Sequence, residues 1–298
     1  MRIRPFVLGS AALTIGLLAA RADVDAQRGG GPPAAPRPAR TAAPVDLTGT
    51  WVSVVSEDWR WRMVTPLKGD VASVPVNGAG RKGAAGWDLE RDNAANLQCK
   101  AFGIGGIMRQ PGRIRISWQD DNTLKLEFDA GTQTRLLHFN KATPAPTEKT
   151  WQGFSLAEWQ GPGLRATEAP PGPGAGPATA TVPGGGGRGL RGGPPPTNAG
   201  AVSLGASIKV VTTGQREGYL RKNGVPYSEQ ASITEYIQRL PTHPNGDSWL
   251  HVLTIIEDPK YLNGPFYTST HFRLEADGSK FSPSACSTEA PLPVKTGK

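Results

Sequence analysis

Arg135, His138, Glu235 and His251 are the residues of this 298-residue chain whose types could move a proton. Glu235 lies in the β-branched run Ser232–Ile237, and a carboxylate facing an interior from such a strand needs a partner, because an unpaired buried charge is expensive. Arg135 is the natural one. A Glu–Arg or Glu–His pair can transfer a proton or can simply organise a core as an ion pair, and the second is the expected role. His138, His251 and His271 each fall in strand-like sequence, and on converging in a barrel lumen they would suit zinc or iron. No H-x-H or H-E-x-x-H spacing supports that, so no metal and no cofactor is expected. His243 sits beside Pro244-Asn245-Gly246 and belongs to a loop. Ser155 and Ser228 lack the G-x-S-x-G of a nucleophile elbow, and Gly103–Gly106 lacks the G-x-G-x-x-G of a dinucleotide site.

A second group of residues could recognise a ligand without chemistry. If Glu57–Met63 (EDWRWRM) is a strand, Trp59 and Trp61 share one face and Arg60 and Arg62 the other. Two indoles on one face form an apolar platform for a ring or a lipid chain. Trp118 and Tyr236 would add surface, and Arg135, His138 and Glu235 would fix polar ends, with His251 a further binding candidate.

These residues need strands to position them. Thr123–Asp129 alternates Leu124, Leu126 and Phe128 against Lys125, Glu127 and Asp129, and turns at Ala130-Gly131 into Thr132–Phe139. Arg113–Trp118 alternates likewise. Ser207–Thr213, Ala231–Leu240, Trp249–Ile256 and Thr268–Leu274 are rich in β-branched and aromatic residues. Only Leu89–Phe102 reads as a site for a short helix. The expected fold is all-β: an antiparallel, lipocalin-like barrel.

Gly49-Thr50-Trp51 resembles the G-x-W signature of calycins, in which the tryptophan plugs one end of the barrel. A wider set of motifs resembles a large family of exported bacterial proteins of unknown activity. Its pattern runs G-x-W, a Cys followed by G-I/V-P-R-I, G-H-S-I-G-x-W-E-G-D-T-L-V-V-D-T, G-x-P-x-S and T-I-x-D-P. The counterparts here are Cys99 with Gly106–Arg109, Arg135, Gly153–Trp159, Ile208–Thr213, Gly224–Ser228, Glu235 and Ile255–Pro259. The chain departs from it with Met108, Phe154 and Gln160, and with a Pro/Gly-rich insertion where relatives have a tight turn.

Residues 1–26 read as a secretory signal peptide, with Arg2 and Arg4 ahead of an apolar stretch from Phe6 to Ala20. That stretch is shorter than the roughly 20 residues of a membrane span, and no later one approaches it. The expected location is therefore periplasmic or secreted. Residues 27–45 read as a disordered Gly/Pro/Ala/Arg arm, and 161–206 as a disordered insertion in a single domain spanning 46–298. The net charge of +8 sits largely in these segments, on Arg28, Arg37, Arg40, Arg165, Arg188 and Arg191, without an aromatic–basic RNA motif. Nucleic acid is thus not an expected partner, though the basic arms are suited to an anionic envelope polymer. Cys99 and Cys286, an even pair in an oxidising compartment, are expected to form a disulfide. The function these readings favour is binding of a small apolar or aromatic molecule in the barrel mouth or lumen. The alternatives are a cofactor-independent lyase, isomerase or decarboxylase on the same barrel, and a structural envelope protein.

Overall fold

The computed structural model describes residues 37–161 and 206–292, so the segment read as a signal peptide, the start of the arm and nearly all of the insertion lie outside the described residues. Nine strands close into a barrel: β1 (Gly49–Val54), β2 (Arg113–Asp120), β3 (Thr123–Phe128), β4 (Gln133–His138), β5 (Phe154–Gln160), β6 (Ser207–Thr213), β9 (Ser232–Arg239), β10 (Trp249–Glu257) and β11 (Phe266–Leu274). A two-stranded hairpin, β7 (Gly218–Tyr219) and β8 (Pro226–Tyr227), stands apart from it. The order around the barrel is β1-β11-β10-β9-β6-β5-β4-β3-β2. Eight neighbour contacts are antiparallel. The exception is β4 with β5, a parallel contact whose register holds only Leu137↔Ser155 and His138↔Leu156.

Period-2 alternation places the side chains as the sequence indicates. Leu124, Leu126 and Phe128 are buried, and Lys125 and Glu127 pair with each other outside. The main core fills the lumen with residues such as Trp51, Ile114, Leu126, Ile208, Val252 and Phe272. Trp51 is fully buried and its Nε1 donates to the Leu47 carbonyl at 2.9 Å. At one end, the floor, Trp118, Phe139 and Trp159 form an aromatic stack with centroid spacings of 5.7 and 5.2 Å. Residues 37–45, expected as part of a disordered arm, are laid against this floor. Trp159 Nε1 donates to the Ala39 carbonyl, the Ala39 amide donates to Asn122 Oδ1, and the Arg40 amide to the Asp121 carbonyl. Pairing of otherwise buried backbone groups holds them there.

The opposite end, the mouth, is roofed by the long β1–β2 connection and by the β6–β9 and β10–β11 loops. The first of these carries α1 (Trp59–Arg62), α2 (Gly78–Ala85), α3 (Leu89–Ala94) and two 3-10 turns. A second core beneath the roof joins Val76, Ile104, Leu220, Val225, Tyr227 and Phe266. Helix α2 was not expected, since glycines at 78, 80 and 83 are poor helix formers. It is secured by Asn77, whose side chain accepts from the Gly80 amide, and by close packing that needs small residues. A Cβ at Gly80 would press on the Tyr261 carbonyl, and one at Gly83 on the Pro226 ring.

The Cys99–Cys286 disulfide is formed and fastens the C-terminal segment to the roof. On its way from β11 that segment passes Phe281 under the Arg115 guanidinium at 4.2 Å. It also donates from the Ser284 amide to the Asp129 carbonyl. No described helix is long and apolar enough to cross a membrane.

Candidate functional site

The paired charges predicted inside the barrel do meet. Arg135 Nη2 lies 2.6 Å from Glu235 Oε2 and Nη1 lies 3.3 Å from Oε1, with both residues fully buried. Arg135 Nη2 also reaches Ser155 Oγ at 3.3 Å and Thr212 Oγ1 at 3.4 Å, and those two hydroxyls bond each other at 2.8 Å. The pair is walled in by packed lumen side chains, which is the setting of a core-organising ion pair rather than of a site that substrate reaches.

The other residues singled out from sequence do not join it. His138 faces outward and stacks on Phe154, and Tyr236 also points to the outer wall, because each is one position out of phase with the inward set on its strand. His251 and His271 stack on each other at 4.9 Å, likewise outside, so the three histidines do not converge on the lumen. Trp118 belongs to the floor stack. Glu57–Met63 is not a strand: Trp59–Arg62 is a short helix, in which positions two apart diverge instead of sharing a face. Trp59 consequently stands 64% exposed, whereas Trp61 turns inward.

That inward turn builds a site on the roof that the alternation of strands does not reveal. Arg62 from α1, Arg109 from the 3-10 turn Ile107–Arg109 and Arg221 from the β7–β8 loop line one narrow cleft with Trp61, Gln110 and Lys222. All three arginines are buried, Arg221 at 3% exposure. Arg62 is fully engaged: Nε donates to the Arg109 carbonyl at 3.0 Å, Nη1 to Glu57 Oε1 at 2.7 Å and Nη2 to Ser53 Oγ at 3.3 Å. Arg109 Nη2 donates to Asp58 Oδ2 at 2.8 Å, but its Nη1 has no hydrogen-bond partner among the described residues. Arg221 has none for Nε, Nη1 or Nη2. Its guanidinium lies over the Trp61 ring at 4.6 Å from the centroid, and Trp61 Nε1 is held by Asp70 Oδ2 at 3.1 Å.

Electrostatics follow from this crowding. Burial, and then the like charge of Arg109, lowers Arg221 to about 10, with Asp58 and Asp70 opposing. Burial also lowers Arg62 and Lys222. Burial opposes ionisation of Glu57, but hydrogen bonds from Ser56 and from its own backbone, then the charges of Arg62 and His271, outweigh it and hold the carboxyl below its ordinary range. Through the Glu57–His271 contact at 3.5 Å the outer histidine stack is linked to the cleft.

Local sequence explains each wall. Asp58 adopts a left-handed conformation (φ +52°), uncommon outside glycine, which turns the chain from β1 into α1 and aims its carboxylate at Arg109. Asn223-Gly224 closes the hairpin tip that carries Arg221. Gly224 has φ +78°, and a Cβ there would collide with the Trp87 ring. Asn223 Nδ2 ties the tip to the Leu67 and Asp70 carbonyls at 2.8 and 2.9 Å. The Asn-Gly turn and the run of Arg62, Arg109 and Arg221 were the available signals, yet nothing in their spacing brings them together. Comparisons with protein-family models, with curated proteins and with solved structures returned no match.

Proposed function

We propose that this protein is an exported β-barrel that binds a small, largely apolar or aromatic molecule at its roofed mouth, the lumen being filled by its own side chains. The observation that carries this reading is the surface beside the cleft. Of the six large apolar side chains exposed among the described residues, four (Trp59, Met63, Val64 and Leu67) belong to the single stretch that follows β1. Scattered exposed apolar residues need no explanation, but a run of them beside a cleft has the character of a contact surface. The disulfide supports export, since such bonds persist in oxidising compartments. The enzyme alternative would need the Arg135–Glu235 pair to reach a substrate, and its burial speaks for the binder. An envelope role through basic arms rests on segments outside the described residues.

The test is a fluorescence titration of the mature chain with N-phenyl-1-naphthylamine, a neutral aromatic probe that brightens in apolar surroundings. Enhancement that falls in Trp59→Ala and Met63→Ala variants is the expected result; both side chains are exposed, so the fold should be kept. No enhancement, or enhancement indifferent to both substitutions, overturns the reading. Co-sedimentation with anionic vesicles in place of probe binding would replace it with a lipid-surface reading.

A further inference from the structure

The roof cleft holds more positive charge than it pairs. Arg62, Arg109, Arg221 and Lys222 line it, against Glu57, Asp58 and Asp70 beside it and Glu289 near Lys222, and the first three acids are committed to Arg62, Arg109 and the Trp61 indole respectively. Four guanidinium nitrogens of the cleft have no partner among the described residues: all three of Arg221 and Nη1 of Arg109. A charged group removed from water without hydrogen bonds is costly to keep. The Trp61 ring offsets part of that cost for Arg221, but an aromatic face accepts none of the N–H groups at the guanidinium edge. Nor is the arrangement loose. Arg221 is set by a hairpin tip that Asn223 and Gly224 lock in place, Arg109 by Asp58, and Trp61 by Asp70. Donors held rigidly, buried and convergent on one cleft are the features of a preorganised anion seat.

We propose that the cleft between Arg221 and Arg109 seats the carboxylate head of an organic acid, whose apolar or aromatic body lies over the exposed run from Trp59 to Leu67. This rests on the mouth-binding reading above and names its ligand class. The cleft favours a carboxylate over a larger oxyanion because its free volume is about 10 Å³, near that of one water-sized group. Room for about one water-sized group admits a single carboxylate oxygen more readily than the bulkier head of a tetrahedral oxyanion. The Arg221 guanidinium offers the charged N–H donors that such an oxygen accepts.

Isothermal titration of the mature chain with naphthalene-1-acetate, its neutral amide and naphthylmethylphosphonate separates the outcomes. The acid is expected to bind about 10- to 100-fold tighter than the amide, the range of a hydrogen bond to a charged group. Arg221→Met should bring the acid down to the affinity of the amide and leave the amide unchanged, with an unfolding midpoint no lower than wild type. Trp59→Ala should weaken acid and amide alike. Equal binding of acid and amide, or an acid preference that survives Arg221→Met, overturns the proposal. A phosphonate that binds tighter than the acid overturns the carboxylate assignment in favour of a phosphorylated head.

Failure of the mouth-binding reading is distinguished by sodium acetate, the bare head, followed by thermal unfolding. Acetate that raises the wild-type midpoint more than chloride does, but not that of Arg221→Met, upholds the seat even if no naphthyl probe binds. Acetate indistinguishable from chloride in both proteins overturns it.

Discussion

Replacing Arg135 with Met tests whether the lumen pair is architecture. The substitution keeps an unbranched chain of similar length but leaves Glu235, fully buried, without the two guanidinium nitrogens at 2.6 and 3.3 Å that now hold it. Removing one member of a buried pair costs about 3–5 kcal/mol because the other charge is left uncompensated. Removing both is different. In Arg135→Met/Glu235→Leu no charge remains in the lumen, and Ser155 and Thr212 keep the hydrogen bond they already share at 2.8 Å. The double variant should lie within about 1–2 kcal/mol of wild type, giving a coupling of about 2 kcal/mol or more across the cycle. Urea unfolding followed by far-ultraviolet circular dichroism, at constant slope, measures all four proteins. A single variant losing under about 1 kcal/mol, or a double variant as unstable as the single, would refute the reasoning: the pair would then be neither desolvated nor mutually dependent.

Cys99→Ser/Cys286→Ser opens a loop of 187 residues and should lower stability by up to about 5 kcal/mol in the chain-entropy model, and reductant should lower the wild-type urea midpoint to match. His138 and His251 titrate below a free imidazole, both through burial first, with His271 adding to the effect at His251. Their depressed values mean that the unfolded chain takes up protons first, so stability is full above about pH 6.5 and declines as pH falls below it. His138→Gln/His251→Gln should flatten the thermal midpoint between about pH 7 and 5, and an unchanged slope would count against the assignment. Gly224→Ala should cost well over about 1 kcal/mol, because the left-handed backbone and the Trp87 ring both oppose a methyl group; a chemical-denaturation curve overlying wild type would show that the hairpin tip relaxes.

Much of the barrel could be read from the chain because alternation is a local property. Leu124, Leu126 and Phe128 announce which face of β3 is inside, and the β-branched run at Ser207–Thr213 becomes β6 residue for residue. The Arg135–Glu235 contact was legible by elimination, since an inward carboxylate must find a cation. The roof resisted for opposite reasons. Helix α1 is four residues long and held by tertiary contacts of Arg62, so Trp59-Arg60-Trp61-Arg62 reads equally well as a strand. Helix α2 contradicts its own propensities and depends on close packing against distant residues. The cleft is assembled from positions 62, 109 and 221, whose adjacency is decided only when the barrel closes beneath them. Arg109 was visible solely as part of a family resemblance, and Arg221 sits in a loop between strands of two residues each.

A ring of strands that alternate up and down can close only on an even number. Nine is odd, so parity obliges at least one pair of neighbours to run the same way, and in this barrel that pair is β4 with β5. The seam is also the shortest ladder in the ring, two register positions where β9 and β10 share eight. Arg135 projects from one lip of it, and its guanidinium reaches Ser155 on the other lip and Glu235 beyond. The buried charge pair is thereby a cross-brace, placed where topology makes the wall thinnest and where backbone hydrogen bonds alone would be fewest.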